Sequence, residues 1–398
     1  MGKWVKDGFD SVVRDDTHNG TKIPAVEYMR SGACPIIDQG QDFIAGYSDD
    51  ITAAYQNLPA IVFGDHTRVL KFANFPFLLG ADGAKILQPT TDKLDCKYLF
   101  YYLLQNPVPS TGYNRHFSWL KRMSVVYPVS LDEQRHIAEI LTTCDEVIEK
   151  SEAVVEKYRA IKAGMLKDLF TRGIGKNGKL RPPPESAPQL YKDTALGKVP
   201  REWEIKNLGE IGRFVAGNGF PLQYQGRKDG QYPFFKVSDF NGWANTNVMS
   251  IANHYVSDDV VRILGCNVIP ARSIVFAKIG AAIMLERKRM VAVASCIDNN
   301  MMSLQVDGAN DSLVLHFLQN YKFSDLVEAT ALPALKTTSL KKICLAIPSD
   351  PAEQHQIAER LSAIDAKIVD ELAVIAKYRK VKAGLMARLL TPPDGEVE

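Results

Sequence analysis

The sequence contains two copies of a segment of about 40 residues, and this duplication limits the possible folds more than any other feature. Residues 133–139 (EQRHIAE) return as residues 353–359 (EQHQIAE), and residues 157–164 (KYRAIKAG) return as residues 377–384 (KYRKVKAG), each 220 positions later. Aligned at this offset without a gap, residues 133–171 and 353–391 are identical at 18 of 39 positions. The duplication predicts a chain of 398 residues built from two equivalent halves.

Both copies show the apolar spacing of long amphipathic helices. Apolar or small residues recur every seven positions from Ile137 and, with the exception of Glu371, from Ile357, and a second apolar series broadens the stripe. An apolar seam of this period over five heptads favours a coiled coil, although each helix could instead pack only on its own domain. Pro128 and Pro348 stand just before the helices, and capping residues such as Ser130 follow them.

Each helix is preceded by a globular segment, and the two segments correspond only loosely. Short β-branched runs and one late helix in each predict a mixed α/β (α+β) domain. A stretch rich in Gly and Pro between the halves is typical of a linker. The predicted organisation is domain 1 at 1–130, helix 1 at 131–171, linker at 172–200, domain 2 at 201–348, helix 2 at 349–391 and tail at 392–398.

Composition narrows the class of protein. The longest apolar stretch, residues 274–285, is interrupted by Lys278, whereas a membrane helix needs about 18 apolar residues. The six cysteines are far apart and lack metal-binding spacing, so we expect reduced thiols in a cytoplasmic protein without membrane contact. The net charge of +2 is only a weak indication of nucleic-acid binding.

The sequence contains no self-contained active site. The near match to a phosphate-binding loop at residues 173–179 is followed by Leu180 instead of Ser or Thr, and it follows a helix instead of a strand. Three D/E-x-K triplets lack the partner residues of a nuclease, and the seven histidines form no metal pair. We therefore predict neither a catalytic residue nor a metal or cofactor on this chain.

Two copies of a variable domain, each followed by a nearly identical long helix, resemble the specificity (S) subunit of a type I restriction–modification system. The strongest matches are Pro-x(4)-Glu-Gln-x-x-Ile-Ala-Glu, starting at Pro128 and Pro348, and Lys-Tyr-Arg-x-x-Lys-Ala-Gly. The first domain also resembles one target-recognition variant, at residues 46–47, 63–67, 81–83 and 112–116. The second domain resembles a different variant, at residues 233–239.

The resemblance implies the architecture and the partners. The two helices are expected to form an antiparallel coiled coil that acts as a spacer between two target recognition domains. This arrangement would relate the two domains by pseudo-twofold symmetry. Each domain would recognise one half of an asymmetric, bipartite site in double-stranded DNA. Two methyltransferase (M) subunits, which use S-adenosylmethionine, would dock on the helices, and restriction/translocase (R) subunits would use ATP and Mg.

Individual residues are assigned from the chemistry of DNA readout. Base contacts need donors and acceptors on loops, which predicts Gln39, Gln41, His66, Arg68, Arg115 and His116 in the first domain. In the second domain the same reasoning selects Lys236, Ser238, Lys278, Asn299 and Asn300. The basic run Arg287, Lys288 and Arg289 suits phosphate contact.

Other residues are assigned to helix packing or subunit docking. Ile137, Ile357, Tyr158 and Tyr378 lie in the seam of the helices. Gly164 and Gly384 interrupt helices at a cost of about 1 kcal/mol relative to Ala, which predicts close approach of another backbone. We assign that approach to helix-on-helix packing, with methyltransferase docking as the alternative.

Two other classes of function stay open. A free-standing nuclease or methyltransferase would need the motifs that are missing. A coiled-coil scaffold whose globular domains bind protein fits the near-neutral charge. Duplicated helices joined to divergent globular segments favour DNA recognition over both.

Overall fold

The computed structural model describes residues 3–110, 112, 114–242, 245–327 and 333–393, and the chain divides into two compact units. Unit 1 contains Met1–Glu152 and Ala373–Glu398, and unit 2 contains Ala153–Leu372. Each unit therefore has one globular segment together with a part of each long helix. Tyr113, which belongs to one of the motifs above, and tail residues 394–398 lie outside the described residues.

Unit 1 is a mixed α/β structure in the residues described. Its strands are β1 (Trp4–Gly8), β2 (Val13–Asp15), β3 (Lys22–Ile23), β4 (Cys34–Ile37), β5 (Gly46–Ser48), β6 (Ala60–Gly64), β7 (Leu70–Ala73), β8 (Leu78–Gly80), β9 (Ala84–Pro89) and β10 (Ser124–Pro128). Its helices are α1 (Phe9–Val12), α2 (Cys96–Gln105), α3 (Phe117–Leu120), the first part of α4 (Leu131–Thr171) and the last part of α8 (Pro351–Leu389). Two four-stranded sheets have the strand orders β2-β9-β6-β7 and β3-β8-β4-β5.

Unit 2 repeats this class of structure with a different sheet topology. Its strands are β11 (Tyr191–Thr194), β12 (Gly197–Pro200), β13 (Trp203–Asn207), β14 (Gly212–Ala216), β15 (Tyr232–Phe235), β16 (Val248–Met249), β17 (Tyr255–Val256), β18 (Ile274–Ala277), β19 (Lys288–Val291), β20 (Cys296–Ile297), β21 (Met301–Val306) and β22 (Cys344–Pro348). Its helices are the last part of α4, α5 (Asp258–Leu264), α6 (Asp311–Asn320), α7 (Thr337–Lys341) and the first part of α8 (Pro351–Leu389). The larger sheets have the orders β14-β21-β18-β19-β16 and β17-β15-β20. The predicted fold class, two mixed α/β recognition domains with long helices, is confirmed.

Residues 172–200, predicted to be a linker, are folded onto unit 2. Ile174 and Leu180 form a β-bridge, and β11 pairs with β12 as an antiparallel hairpin. Ile174 is buried in the same core as Trp203. Gly173 and Gly178 make turns within this segment, since they have φ angles of 62° and 72°.

A two-stranded antiparallel ribbon closes each globular segment by pairing its first strand with its last. β1 pairs with β10 so that Trp4 faces Pro128, and β13 pairs with β22 so that Trp203 faces Pro348. A long helix begins within a few residues of each proline. The start and the end of each recognition segment are therefore fixed at the base of a helix.

A buried glutamine at the start of α4 joins this helix to the segment before it. In unit 1 the Nε2 of Gln134 donates to the carbonyl oxygens of Pro128 at 2.7 Å and Lys93 at 2.8 Å. Its Oε1 accepts from the backbone N–H of Asp95 at 2.7 Å. Because Asp95 is the N-cap of α2, one side chain connects α4, the ribbon and α2.

Gln354 does the same in unit 2. Its Nε2 donates to the carbonyl oxygen of Pro348 at 2.8 Å, and its Oε1 accepts from the backbone N–H of Asn310 at 2.8 Å. Asn310 is the N-cap of α6. The sequence duplication is therefore also a duplication of hydrogen bonds, which we call the glutamine clamp (Gln134 in unit 1, Gln354 in unit 2).

In unit 1 the parts of the two long helices lie antiparallel. Lys382 Nζ is 2.5 Å from the Asp145 carboxylate, and Arg379 Nη2 is 2.6 Å from that of Glu152. The later residue on α4 therefore meets the earlier residue on α8. The hydroxyl of Tyr101 in α2 donates to Asp145 at 2.8 Å, which joins the globular segment to this pair.

In unit 2 the repeat-equivalent ion pair is present with the partners exchanged. Lys162 of α4 lies 2.6 Å from Asp365 of α8, and Lys367 stands over the ring of Tyr158. The antiparallel packing predicted for the helices thus occurs within each unit. His316 of α6 lies 3.6 Å from Asp365, and burial together with nearby Lys162 lowers the pKa of this histidine to about 4, so it is neutral at pH 7.

Gly164 and Gly384 do not lie at a close contact between helices, which the sequence predicted for them. Both are exposed, and no described atom outside the helix's own nearby backbone lies within 4 Å of the point where a Cβ would stand. The expected helix-on-helix approach at these positions is wrong, because the seam faces the opposite side of each helix. Ile137 and Ile357, in contrast, are buried as predicted.

Among the described residues, no helix combines the length and the apolar character needed to cross a membrane.

The glutamine clamp of unit 2 can be tested with Gln354→Ala. The substitution leaves the Pro348 carbonyl and the Asn310 N–H buried without partners, so we expect the free energy of unfolding to fall by about 2–3 kcal/mol. Urea unfolding followed by circular dichroism measures this change. Gln356→Ala, on the exposed face of the same helix, is the matched control and should stay within about 0.5 kcal/mol. If both substitutions lowered the free energy of unfolding equally, the hydrogen bonds of Gln354 would not stabilise the protein as proposed.

Candidate nucleic-acid interface

Four loops of unit 1 meet around Asp65, and these loops carry the side chains predicted to contact DNA. The backbone N–H of Asp65 donates to the Gly83 carbonyl at 2.7 Å, and the backbone N–H of His116 donates to the Asp65 carbonyl at 2.8 Å. Oε1 of Gln39 accepts from the backbone N–H of His66 at 3.2 Å. Segments far apart in sequence therefore form one continuous loop surface.

Two of these loops contain a residue with a positive φ angle, Gly83 in one and Arg68 in the other. Gly83 has a φ of 64°, a conformation that other residues rarely adopt, and a Cβ there would stand 2.6 Å from Oε1 of Gln39. Arg68 has a φ of 63°, and its Nη1 donates to the carbonyl of Val108 at 3.1 Å. The guanidinium is thus oriented by the protein.

The predicted contact residues of unit 1 differ in exposure. Gln41 and Arg115 are exposed, and Gln39, His66 and Arg68 are half-buried. His116 is 0% exposed, and its Nδ1 lies 3.0 Å from the Asp65 carbonyl oxygen. The prediction that His116 contacts DNA does not fit this position, because the ring holds loops together inside the domain.

Lys71 is a loop support that sequence reasoning missed. It is buried, and its Nζ donates to the carbonyl oxygens of Asp38 at 2.8 Å and Asp42 at 2.5 Å. Burial lowers the pKa of Lys71, against the opposing effect of the Asp38 carboxylate. The lysine fixes the loop that carries Gln39 and Gln41. Nothing in the alternation of β7 distinguishes it from an exposed strand residue.

In unit 2 a pair of parallel strands places the predicted residues at one edge. Phe235 of β15 pairs with Ile297 of β20, so the residues that follow, Lys236 and Asp298, emerge together. The Asp298 carboxylate accepts from the backbone N–H of Asn300 at 3.0 Å, and the backbone N–H of Lys278 donates to the Asn300 carbonyl at 2.8 Å. Lys236, Lys278 and Asn300 are therefore neighbours in the structure.

The exposed side chains at this edge are Ser238, Asn299 and Asn300, whereas Lys236 and Lys278 are half-buried. Nζ of Lys236 donates to Oε1 of Gln225 at 3.0 Å. Buried Asp239, which sequence reasoning missed, accepts from the backbone N–H of Lys236 at 2.7 Å and orders the loop. Exposed amides and hydroxyls supported by buried carboxylates can donate to and accept from base edges.

The basic run at 287–289 is not the exposed phosphate-binding cluster that the sequence predicts. Lys288 is 3% exposed, forms an ion pair with Glu286 and donates to the Tyr321 carbonyl at 2.8 Å. Arg289 lies over the Phe240 ring, and burial lowers its pKa to about 10. Arg287 is half-buried and donates to Asn241 at 2.6 Å. Lys288 therefore belongs to the core, because alternation along β19 turns it inward.

Within the residues that the structure describes, no group of three or more His, Cys, Asp or Glu is placed to hold a metal ion.

Comparison with known proteins relates this chain to one family. Residues 200–373 match the family model of the type I restriction modification DNA specificity domain. The chain is 24% identical over 335 residues to the putative type I restriction enzyme MjaX specificity subunit of Methanocaldococcus jannaschii, covering 79% of this chain and 72% of that protein. It is also 24% identical over 264 residues to the EcoR124I/EcoR124II specificity subunit of Escherichia coli, covering 63% and 58%.

The fold is similar to that of a solved S subunit. The crystal structure of the type I restriction–modification S subunit from M. genitalium matches with a TM-score of 0.68 and 16% identity, covering 98% of this chain and 97% of that chain. The resemblance predicted from the motifs is confirmed.

The buried position of Lys288 predicts that Lys288→Met lowers stability. Removing the ammonium leaves Glu286 without its ion-pair partner, and we expect the free energy of unfolding to fall by about 3 kcal/mol. Arg287→Met, one residue away and half-buried, is the control and should change it by less than about 1 kcal/mol. Urea unfolding at pH 7 distinguishes the two, and equal losses would contradict the assignment.

The pH dependence gives a second measurement on the same variant. Burial alone would raise the pKa of Glu286, but hydrogen bonds from Lys288 and from the Ser324 and Phe323 backbone lower it to about 2, against an ordinary value of 4.5. A lowered folded-state pKa stabilises the protein above about pH 4.5, and this contribution is lost as the pH falls towards 2. In Lys288→Met, we expect the free energy of unfolding to fall less between pH 4.5 and pH 2 than it does in the unsubstituted protein.

Proposed function

We propose that this chain, which matches the type I DNA specificity domain over residues 200–373 and resembles type I specificity subunits over most of its length, recognises an asymmetric, bipartite DNA site. Each unit contributes one recognition domain and contacts one half-site. The bases between the half-sites are not read. The chain itself catalyses no reaction.

The observation that carries this proposal is the contrast between two different loop clusters and the repeated features that support them. We call these repeated features, the glutamine clamp and the ion pair between the helices, the frame. The glutamine clamp and the ion pair between the helices recur at an offset of 220 residues. The loop cluster around Asp65 in unit 1 and the edge beside Asp298 in unit 2 differ in both topology and side chains. One frame that presents two different sets of donors and acceptors suits a DNA site with unlike halves.

The chemistry of modification and cleavage belongs to partners in this proposal. Methyltransferase subunits would supply S-adenosylmethionine and methylate adenine N6, and restriction/translocase subunits would supply ATP and Mg. Near-neutral charge is compatible with this division, since the partners can contribute phosphate contacts.

Repeated exposed surfaces on the long helices support docking of two methyltransferase subunits. Ile161 on α4 and Val381 on α8 are equivalent in the repeat, and their side chains are 40% and 42% exposed. Gly164 and Gly384 lie one turn further on and are also exposed. Aliphatic and small residues kept on the surface of both copies offer the same flat contact to two copies of one partner.

Methylation mapping tests the recognition function. The chain is coexpressed with its neighbouring methyltransferase gene in a host that lacks DNA methylation, and modified bases are located by single-molecule sequencing. We expect a split motif with N6-methyladenine in both halves. Gln41→Ala with Arg115→Ala should alter only one half, and Ser238→Ala with Asn299→Ala only the other. A stable complex that yields no motif would favour the coiled-coil scaffold.

Docking is tested separately by Ile161→Glu with Val381→Glu. A carboxylate in each exposed apolar patch should weaken methyltransferase binding by at least tenfold, because it would be buried without a partner. Sedimentation of the purified mixture measures the complex. Glu156→Gln with Lys380→Gln, exposed on the same helices, serves as the control. Normal assembly of the Glu variant would place docking elsewhere.

A further inference from the structure

The two large aliphatic side chains with the highest exposed fractions among the described residues lie in similar turns of the two units. Val26 in unit 1 is 93% exposed, and Leu222 in unit 2 is 85% exposed. Each lies in a 3₁₀ turn, Ala25–Glu27 and Leu222–Tyr224, that directly follows a proline. An aliphatic side chain in water adds nothing to the core, so this repeated exposure suits a contact with another molecule.

In unit 1 the turn lies at the edge of the sheet that carries the recognition loops. β3, β8 and β4 are parallel neighbours, so their carboxyl ends meet at one edge. The turn follows β3, the loop of Gly83 follows β8, and the loop of Gln39 follows β4. Tyr28, at the end of the turn, lies close to Gly80, because a Cβ there would stand 2.6 Å from its hydroxyl oxygen. The turn therefore lies beside the loop cluster around Asp65.

In unit 2 the turn lies at the corresponding edge, beside Asp298. The chain before the turn runs parallel to the end of β20, since Asn218 and Asp298 form a parallel β-bridge. β15 is also parallel to β20, so Lys236 emerges at the same edge. Gln225, at the end of the turn, accepts from Nζ of Lys236 at 3.0 Å. Leu222 is therefore close to the polar side chains predicted to contact bases.

Both turns are held in place by the protein itself. In each, the backbone N–H of the third residue donates to the carbonyl of the preceding proline, at 2.9 Å in unit 1 and 3.1 Å in unit 2. Burial and the carboxylates of Asp38 and Asp82 raise the pKa of Tyr28, which stays a neutral phenol beside these loops. In unit 2 the ring of Phe220 stacks on buried Phe234, with ring centroids 3.7 Å apart. A turn that is already ordered loses little entropy when a ligand covers its side chain.

The small size of the apolar surface indicates what it contacts. Each turn exposes a proline and one or two aliphatic side chains, whereas one side of a stable protein–protein interface covers about 800 Å². Among the standard bases, thymine alone presents a methyl group in the major groove of DNA. An aliphatic side chain next to amides and hydroxyls suits this methyl group, while the polar side chains contact the donors and acceptors of the base pairs.

We propose that Val26 and Leu222 each contact the methyl group of one thymine, one in each half of the DNA site. This inference rests on the proposed recognition of DNA, and it adds an apolar contact to the polar contacts of both units. Each unit thereby favours thymine at one position of its half-site.

Replacing thymine by uracil tests this contact, because uracil lacks only the methyl group and keeps the same base-pairing edge. The split motif found by methylation mapping is synthesised with uracil in place of one thymine at a time, on both strands. Fluorescence anisotropy measures the binding of each duplex to the full chain together with its coexpressed methyltransferase. We expect one position in each half at which uracil weakens binding about fourfold, the effect of one buried methyl group.

Substitutions in the chain assign each position to its side chain. Val26→Ala should abolish the preference for thymine over uracil in one half-site, and Leu222→Ala should abolish it in the other. Ile51→Ala and Leu196→Ala are the matched controls, with side chains that are 56% and 48% exposed. Ile51 follows β5, which is antiparallel to β4 and ends at the opposite edge, and Leu196 lies in the turn between β11 and β12. All four substitutions are at the surface and should leave the melting temperature unchanged.

The outcomes separate this contact from the recognition function. If the split motif is bound but no uracil substitution has an effect, or if both variants keep the full preference for thymine, methyl recognition is overturned and DNA recognition stands. If the variants weaken binding equally to thymine and uracil duplexes, the side chains act as wedges between base pairs, which also overturns the proposal. A complex that binds no specific duplex overturns both the contact and the proposed function.

Discussion

Each half of this protein depends on a buried glutamine that satisfies backbone groups from separate elements. Gln134 and Gln354 each bind the proline carbonyl at the end of the ribbon and the N–H at the cap of a short helix. An amide side chain can donate and accept at the same time, which no apolar residue could do at this junction. The recognition segment is thereby fixed on the long helix, while the loops at a distance from the clamp remain unconstrained by it.

This separation explains how one frame can support two unlike loop clusters. The loops are ordered from inside by buried polar groups, namely Lys71 and His116 in unit 1 and Asp239 and Asp298 in unit 2. These groups are satisfied by neighbouring backbone, so they hold loops in place without reaching the surface. The exposed amides, hydroxyls and guanidinium groups are then free to vary. Some basic side chains serve this internal support instead of the surface, as buried Lys71 and Lys288 illustrate.

The two units share the glutamine clamp and the helix ion pair, but they differ in the segment that follows the long helix. The chain leaves α4 through Gly173 and folds back over Trp203, where Arg181 and Ile174 complete the core. It leaves α8 through two prolines, and the corresponding tryptophan borders a cavity. A tandem repeat has one connection between its two copies, and in this chain that connection covers the junction of unit 2.

The sequence by itself determined the duplication, the long helices and the family resemblance, because these rest on periodicity and on repeated residues that are visible along the chain. It also indicated which segments supply loops, since Gln39, His66 and Arg68 do come together. It could not determine which polar side chains face inwards. Lys288 and His116 resemble surface residues in sequence, and Lys71 lies in an unremarkable strand. Gly164 and Gly384 likewise gave no sign of facing outwards. Those outcomes were decided by tertiary structure alone, because burial and pairing depend on partners such as Tyr321, Asp38 and Asp65 that lie elsewhere in the sequence and become neighbours only when the sheets and loops assemble.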